Sequence, residues 1–136
     1  MTTERLEALR SILLFAELGD EALDEILGIA TEFEAPANQV LIQPGLEGAG
    51  LFVLEEGTVM VERGDTHIEL GPGEFFGEIA LLVSGSPHTA RVRTTTSIRC
   101  LAIARNDFAN LLEKQPRIAI TMLGVLAKRL ADTMRH

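Results

Sequence analysis

The residues best placed to do chemistry lie in one stretch, Gly71-Pro-Gly-Glu-Phe-Phe-Gly-Glu-Ile-Ala-Leu-Leu82, continued by Val83-Ser-Gly-Ser-Pro-His-Thr-Ala-Arg-Val92. It reads as a glycine-punctuated strand, a short apolar turn from Ile79 to Leu82, a loop and a second strand. Gly77 has no Cβ and lets the backbone approach a ligand closely. A helical turn after it would point the free N–H groups of Ile79, Ala80 and Leu81 in one direction, and such clusters bind anions. Glu78 would then stand beside the anion, where its carboxylate can accept a hydrogen bond from a ribose hydroxyl. The same spacing suits a plain β-corner with a surface glutamate, and spacing alone leaves both readings open.

Other chemistries find less support. The three histidines, His67, His88 and His136, are scattered without the paired spacing of metal ligands. The single cysteine, Cys100, can form neither an intrachain disulfide nor a cysteine-rich zinc site. Its apolar setting, Arg99-Cys-Leu-Ala-Ile103, predicts a small buried hydrophobe. No nucleophile–base arrangement stands out. The expectation is therefore a non-enzymatic chain with no catalytic residue, no metal and no cofactor. Twelve basic residues stand against 20 acidic ones, a formal net charge of −8. That field opposes binding to phosphate backbones, so nucleic acid is not an expected partner. No apolar run approaches the ~18–20 residues of a membrane span. The opening MTTERLEALR lacks the apolar core of an export signal. No membrane contact is expected, and the cytoplasm is the expected location.

The elements that must position the glycine-rich stretch are legible around it. A length of 136 residues corresponds to a single domain by the usual ~100–200 residues per domain. Within 1–136 three zones follow one another without linkers or repeats. From about residue 4 to 33, Leu6, Leu9 and Leu13, then Leu23, Ile26, Leu27 and Ala30, recur at helical steps. Gly19-Asp20 interrupts them, with Asp20 as a candidate cap of the second helix. From about 35 to 104, short strands are predicted at Val40–Gln43, Leu51–Leu54, Thr58–Val61, Ile68–Leu70, Arg91–Thr94 and Arg99–Ile103. Pro44-Gly45, Glu55-Glu-Gly57, Arg63-Gly-Asp65 and Gly71-Pro-Gly73 separate them with turn chemistry. Many short strands with regular turns suggest a β-sandwich or barrel. From about 106 to 136 the chain is helical again, with Asn106 or Asp107 as a cap and Pro116 opening a longer helix.

In order along nearly the whole chain, the sequence resembles the cyclic-nucleotide-binding domains shared by bacterial catabolite activator proteins and kinase regulatory subunits. The matching residues are Leu13-Leu-Phe15 and Leu18, Pro44-Gly45, Leu51-Phe-Val-Leu54 with Glu56-Gly57, and Leu70-Gly-Pro-Gly73. Phe75-Phe-Gly-Glu-Ile-Ala-Leu-Leu82, Pro87 to Val92, Leu101-Ala-Ile103, Phe108 and Ala127-Lys-Arg-Leu130 complete the match. The resemblance implies a mainly β fold, an eight-stranded β-roll of the jelly-roll type with N- and C-terminal helices. It implies cAMP or cGMP as the ligand. Gly77 and Glu78 would then meet the ribose, and the N–H groups of Ala80 and Ala90 would face the phosphate, with the Ile79 N–H in the same anion-binding turn.

One departure stands out. The family places an arginine after the proline of this cassette, and this chain has His88 there. A charge-assisted hydrogen bond is worth ~1.5–3 kcal/mol, so its loss would weaken binding roughly ten- to a hundredfold. Histidine can donate when neutral and adds charge when protonated near its ordinary pKa of ~6.5. Thr89 offers a hydroxyl to the phosphate. Arg91 and Arg93, two residues apart, share one face of a strand. If that face meets the ligand, Arg91 could supply the missing charge; if it meets solvent, both are surface arginines.

On the last helix, Ile120, Leu123, Ala127, Leu130 and Met134 form an a/d seam, while Ile118, Met122 and Val125 form a second apolar face. One face can pack on the β-roll and leave the other for a partner. In the family this helix can cover the base and form a homodimer, which would bring Arg129, Leu130 and Thr133 to the base. With the chain ending at His136, any signal is expected to pass to a separate protein partner. The reading is a regulatory domain that senses a cyclic nucleotide in signal transduction. The alternative is a protein-interaction module of the same fold that binds no nucleotide.

Overall fold

Two N-terminal helices form where apolar residues recur at helical steps: α1 (Thr2–Arg10) and α2 (Asp20–Ile29), linked through a single 3-10 turn at Leu13–Phe15. The computed structural model describes residues 2–43, 50–77 and 90–134. Asp20, expected as a cap, is instead the first residue of α2 and Gly19 precedes it. Its charge still favours the helix N-terminus, and it pairs with Arg10 of α1.

The helical zone ends earlier than its periodicity suggests. At Ala30 the chain turns into β1 (Ala30–Ala35), whose residues pair one for one with the last long strand, from Ala30↔Ile103 to Ala35↔Ile98. Thr31 and Phe33 favour a pleated, half-buried surface, and the ladder outweighs the weak helical continuation. The following strands are β2 (Val40–Ile42), β3 (Gly50–Glu56), β4 (Val59–Arg63), β5 (Thr66–Leu70), β6 (Phe75–Phe76), β7 (Arg91–Thr94) and β8 (Ile98–Ala104). They make two antiparallel four-stranded sheets. Sheet A has the order β1-β8-β3-β6 and sheet B the order β2-β7-β4-β5. This is the mainly β roll with flanking helices that the sequence implied.

The chain closes with α3 (Arg105–Lys114) and α4 (Pro116–Thr133), which starts at Pro116 as expected. Neither Asn106 nor Asp107 caps α3. Ala104 holds that position because β8 runs straight into the helix, and Asp107 lies in the first turn.

Sheet A separates two cores. Between the sheets lie Leu54, Val59, Leu70, Phe76, Val92, Ile98 and Cys100. On the other side of sheet A, the helices contribute Leu9, Phe15, Leu23, Phe108, Ile118 and Met122 against Leu51, Val53, Phe75, Leu101 and Ile103. Cys100 is fully buried, as its apolar run implied, and burial, with the nearby Glu55 charge, pushes its thiol up to about 12.

Thr94, at the end of β7, is the one buried polar residue among the described residues. Its hydroxyl donates to the Pro36 carbonyl at 2.7 Å and accepts from the Gln39 N–H at 2.8 Å. Its own backbone N–H and C=O bond Gln39 and Asn38, each at 2.9 Å. One residue thus closes the β1–β2 turn, where Asn38 takes a left-handed φ of 65°, and anchors the strand that leaves the glycine-rich cassette. Thr94→Val strands the Gln39 N–H and the Pro36 carbonyl. It is expected to cost about 1–3 kcal/mol, read as a lower urea midpoint with an unchanged m-value.

Candidate functional site

The cassette enters the fold through β6, only two residues long. Phe76 and Phe75 pair with Phe52 and Val53 of β3. Because alternate residues of a strand face opposite sides, the two phenylalanines divide between the cores. Phe75 belongs to the helix side and Phe76 to the roll interior. Phe76 stacks on Phe52 with centroids 5.2 Å apart, and Phe52 meets Phe33 edge-on at 6.1 Å.

Gly77 follows with a φ of 91°, the left-handed region that glycine enters without penalty. A Cβ there would lie 2.9 Å from the Gly50 carbonyl oxygen and 3.3 Å from the Phe52 ring. Gly50 is itself tightly enclosed: a Cβ on it would lie 2.5 Å from the Ile103 carbonyl oxygen. Sequence reading singled out Gly77 but missed Gly50.

The other expected contacts divide. Glu78, Ile79, Ala80, His88 and Thr89 lie outside the described residues. Ala90 is buried at the entry to β7, and Arg91 beside it is exposed. Val92 and Thr94 are the buried side of that strand, so Arg91 points away from the roll interior, opposite Glu62 in the register. Arg93 is on the same side, 3.7 Å from Glu62 and 3.5 Å from the Asn38 side chain. Both arginines are surface residues, the solvent-facing case of the two considered.

On α4 the two faces are as the spacing implied. Ile118 and Met122 are buried and Val125 packs beside them. Arg129, one further step along this face, reaches sheet A. Its Nη2 donates to the Phe75 carbonyl at 2.9 Å, and its guanidinium carbon lies 4.5 Å from the Phe75 ring centroid. The helix is therefore clipped to the residue two positions before Gly77. Sequence reading named Arg129 but not Phe75 as its partner. Leu130 is not brought to that place; it is 60% exposed on the outer side. The backbone of Thr133 ends α4, and its side chain lies outside the described residues. Among the described residues no group of His, Cys, Asp and Glu could hold a metal ion, and no helix is long and apolar enough to cross a membrane.

Comparison with known proteins agrees with this geometry. Residues 32–115 match the family model of the cyclic nucleotide-binding domain. The chain is similar to a cyclic nucleotide-gated potassium channel of Rhizobium etli, 37% identical over 119 residues, covering 88% of this chain and 33% of the channel. It is also similar to the cAMP-activated global transcriptional regulator of Haemophilus influenzae, 32% identical over 123 residues, covering 86% of this chain and 55% of the regulator. Among solved structures it resembles the Thermus thermophilus catabolite activator protein, with a TM-score of 0.76 and 28% identity over 88% of this chain and 59% of that one. The chain spans about a third to a half of the length of these curated relatives. The two-sheet roll, the glycine-hinged cassette and the match over residues 32–115 together place this chain in the cyclic nucleotide-binding domain family.

Proposed function

We propose that this chain is a regulatory, non-enzymatic domain that binds cAMP or cGMP and passes the event to a separate protein through α4. The observation that carries the reading is the conformation of Gly77. It is held in the left-handed region against Gly50 and Phe52, inside the stretch that matches the family. A backbone so constrained fixes how the chain leaves β6 at Gly77.

The residues then divide by chemistry. Gly77 and Glu78 serve the ribose, the carboxylate of Glu78 accepting from a hydroxyl, while the Ile79 N–H joins the donors to the phosphate. The N–H groups of Ala80 and Ala90, the Thr89 hydroxyl and His88 serve the phosphate. Arg129 and Thr133 are assigned to the base, as the family resemblance implies. Arg91 and Leu130 take no part, because both side chains face outward. The signal is a difference in ligand affinity between two placements of α4, since a ligand shifts an equilibrium only by what it binds differentially. The Arg129–Phe75 clip ties that helix to the cassette.

The outer seam of α4 gives the partner a surface. Ile120, Leu123, Leu130 and Met134 are 62, 66, 60 and 73% exposed, and no charged residue lies among them or Ala127. In a chain of net charge −8, this uncharged stripe lets a second copy approach with little repulsion, as in a two-heptad seam. The same exposure favours the second reading, an interaction module that binds no nucleotide.

Nuclear magnetic resonance titration with cAMP and with cGMP separates the two. The proposal expects saturable shifts of the Phe75, Gly77, Ala90 and Arg129 amides. Spectra unmoved by either nucleotide would remove the ligand and leave the interaction module.

A further inference from the structure

Among the described residues, sheet A has its edges at β1 and β6 and sheet B at β2 and β5. An edge strand offers unpaired N–H and C=O groups to a further strand, and folded proteins commonly blunt it. β6 has only two residues, and β2 has three with a register shift against β7. β1 carries Glu32 and Glu34 on one face. An antiparallel two-fold pairing of β1 centred on residue 32, 33 or 34 therefore sets glutamate against glutamate. β5 has none of these defences. It is five residues long, without proline, and runs in unbroken register with β4 from Arg63↔Thr66 to Val59↔Leu70.

The β4–β5 hairpin decides which groups that edge presents. Its turn is Gly64-Asp65, with Gly64 at a φ of 56°. Residues that flank a two-residue hairpin turn bond each other, so Arg63 and Thr66 are a hydrogen-bonded pair. Alternation along the ladder makes Ile68 and Leu70 bond β4 as well. The N–H and C=O groups of His67 and Glu69 then point away from β4, to the open edge. The side chains of both are exposed on the outer face of sheet B, while Ile68 and Leu70 turn to the roll interior.

We propose that β5 is a self-association edge: two copies of this chain pair antiparallel through Thr66–Leu70 about a two-fold axis at Ile68, joining their B sheets into one. In that register each His67 lies opposite the partner's Glu69, and their outward backbone groups exchange N–H···O=C bonds in both directions. Each imidazole N–H also faces a carboxylate that can accept it. An axis at residue 67 or 69 would instead set histidine on histidine or glutamate on glutamate. The cross-strand row runs Arg91, Glu62, His67 and the partner's Glu69, alternating donor and carboxylate. Ile68, half-buried in the single chain, meets its counterpart on the interior side. The strand is short against the ~1,200 Å² of a stable interface, so the pairing is weak and concentration-dependent. It uses neither α4 nor Gly77.

Single cysteines in the full chain test the register. Opposed residues of a non-hydrogen-bonded pair have Cα atoms ~4.5 Å apart, within reach of a disulfide, and the native Cys100 is fully buried. Mild oxidation of Ile68→Cys at high protein concentration should therefore give a covalent dimer. Thr66→Cys is at a more exposed position, but its two copies would lie about 13 Å apart along the strands, and it should link far more slowly. On the Ile68→Cys background, His67→Glu sets like charges opposite in both pairs and should slow linking roughly tenfold. Adding Glu69→His exchanges the two charges and should restore the rate. Linking at 66 as fast as at 68, or a rate indifferent to the reversal and the exchange, would overturn the proposal.

Discussion

Replacing His88 with arginine is expected to tighten cyclic nucleotide binding by roughly ten- to a hundredfold at pH 7. Guanidinium is charged at every accessible pH and can present two parallel N–H donors to a phosphate. Histidine presents one donor when neutral and gains charge only below its ordinary pKa of ~6.5. A charge-assisted hydrogen bond contributes ~1.5–3 kcal/mol, and each ~1.4 kcal/mol is a factor of ten in affinity. The sign with pH follows from the same chemistry. A phosphate favours the protonated imidazole, so wild-type affinity should rise as pH falls from 8 toward 5.5, whereas the arginine variant should be nearly flat. Calorimetric titration of both proteins across that range checks both statements. A variant no tighter than the wild type would mean that position 88 does not meet the phosphate.

The second large effect concerns Phe75. Its side chain is 2% exposed among the helix-side core residues, and its ring and carbonyl both receive Arg129. Truncating a buried phenylalanine costs about 3–5 kcal/mol through lost transfer energy and the cavity left behind. Part of that loss is the cation–π contact, about 0.5–2 kcal/mol according to its burial. Phe75→Ala should therefore lower stability by about 3–5 kcal/mol and free the outer end of α4, seen as faster amide exchange from Leu126 to Asp132. Phe75→Leu keeps much of the apolar volume and should cost about 1–2 kcal/mol; the carbonyl that accepts from Arg129 belongs to the backbone and persists in both variants. A loss below about 1 kcal/mol for the alanine variant would show that the core closes around the gap and that the clip does not hold α4.

Much of this architecture could be read from residue types because the signals were local. The two faces of α4 follow from apolar residues at three- and four-residue steps, and Pro116 marks its start. Turn chemistry marked most of the strands between Val40 and Ile103. The elements that escaped are those whose existence depends on a distant partner. β1 continues the helical spacing through Ala30 past Gly28, and its ladder with β8 makes it a strand. β6 is two residues long, too short for any periodicity, and exists because β3 lies beside it.

The site shows the same division. Gly77 was legible because a glycine inside a specific cassette signals close approach. Its counterpart Gly50 was not, since its reason is the Ile103 carbonyl, more than fifty residues away in sequence. Arg129 could be assigned to the inner face of α4 by spacing, but its partner Phe75 is set by tertiary packing alone.

The central claim is that this chain binds a cyclic nucleotide, and direct calorimetry with cAMP and cGMP tests it most simply. The sequence has no tryptophan or tyrosine, so heat reports binding better than intrinsic fluorescence would. The account predicts saturable one-to-one binding of at least one of the two nucleotides by the wild type, tighter at pH 5.5 than at pH 7. Absence of binding to both nucleotides at both pH values, in the wild type and in His88→Arg alike, would contradict it.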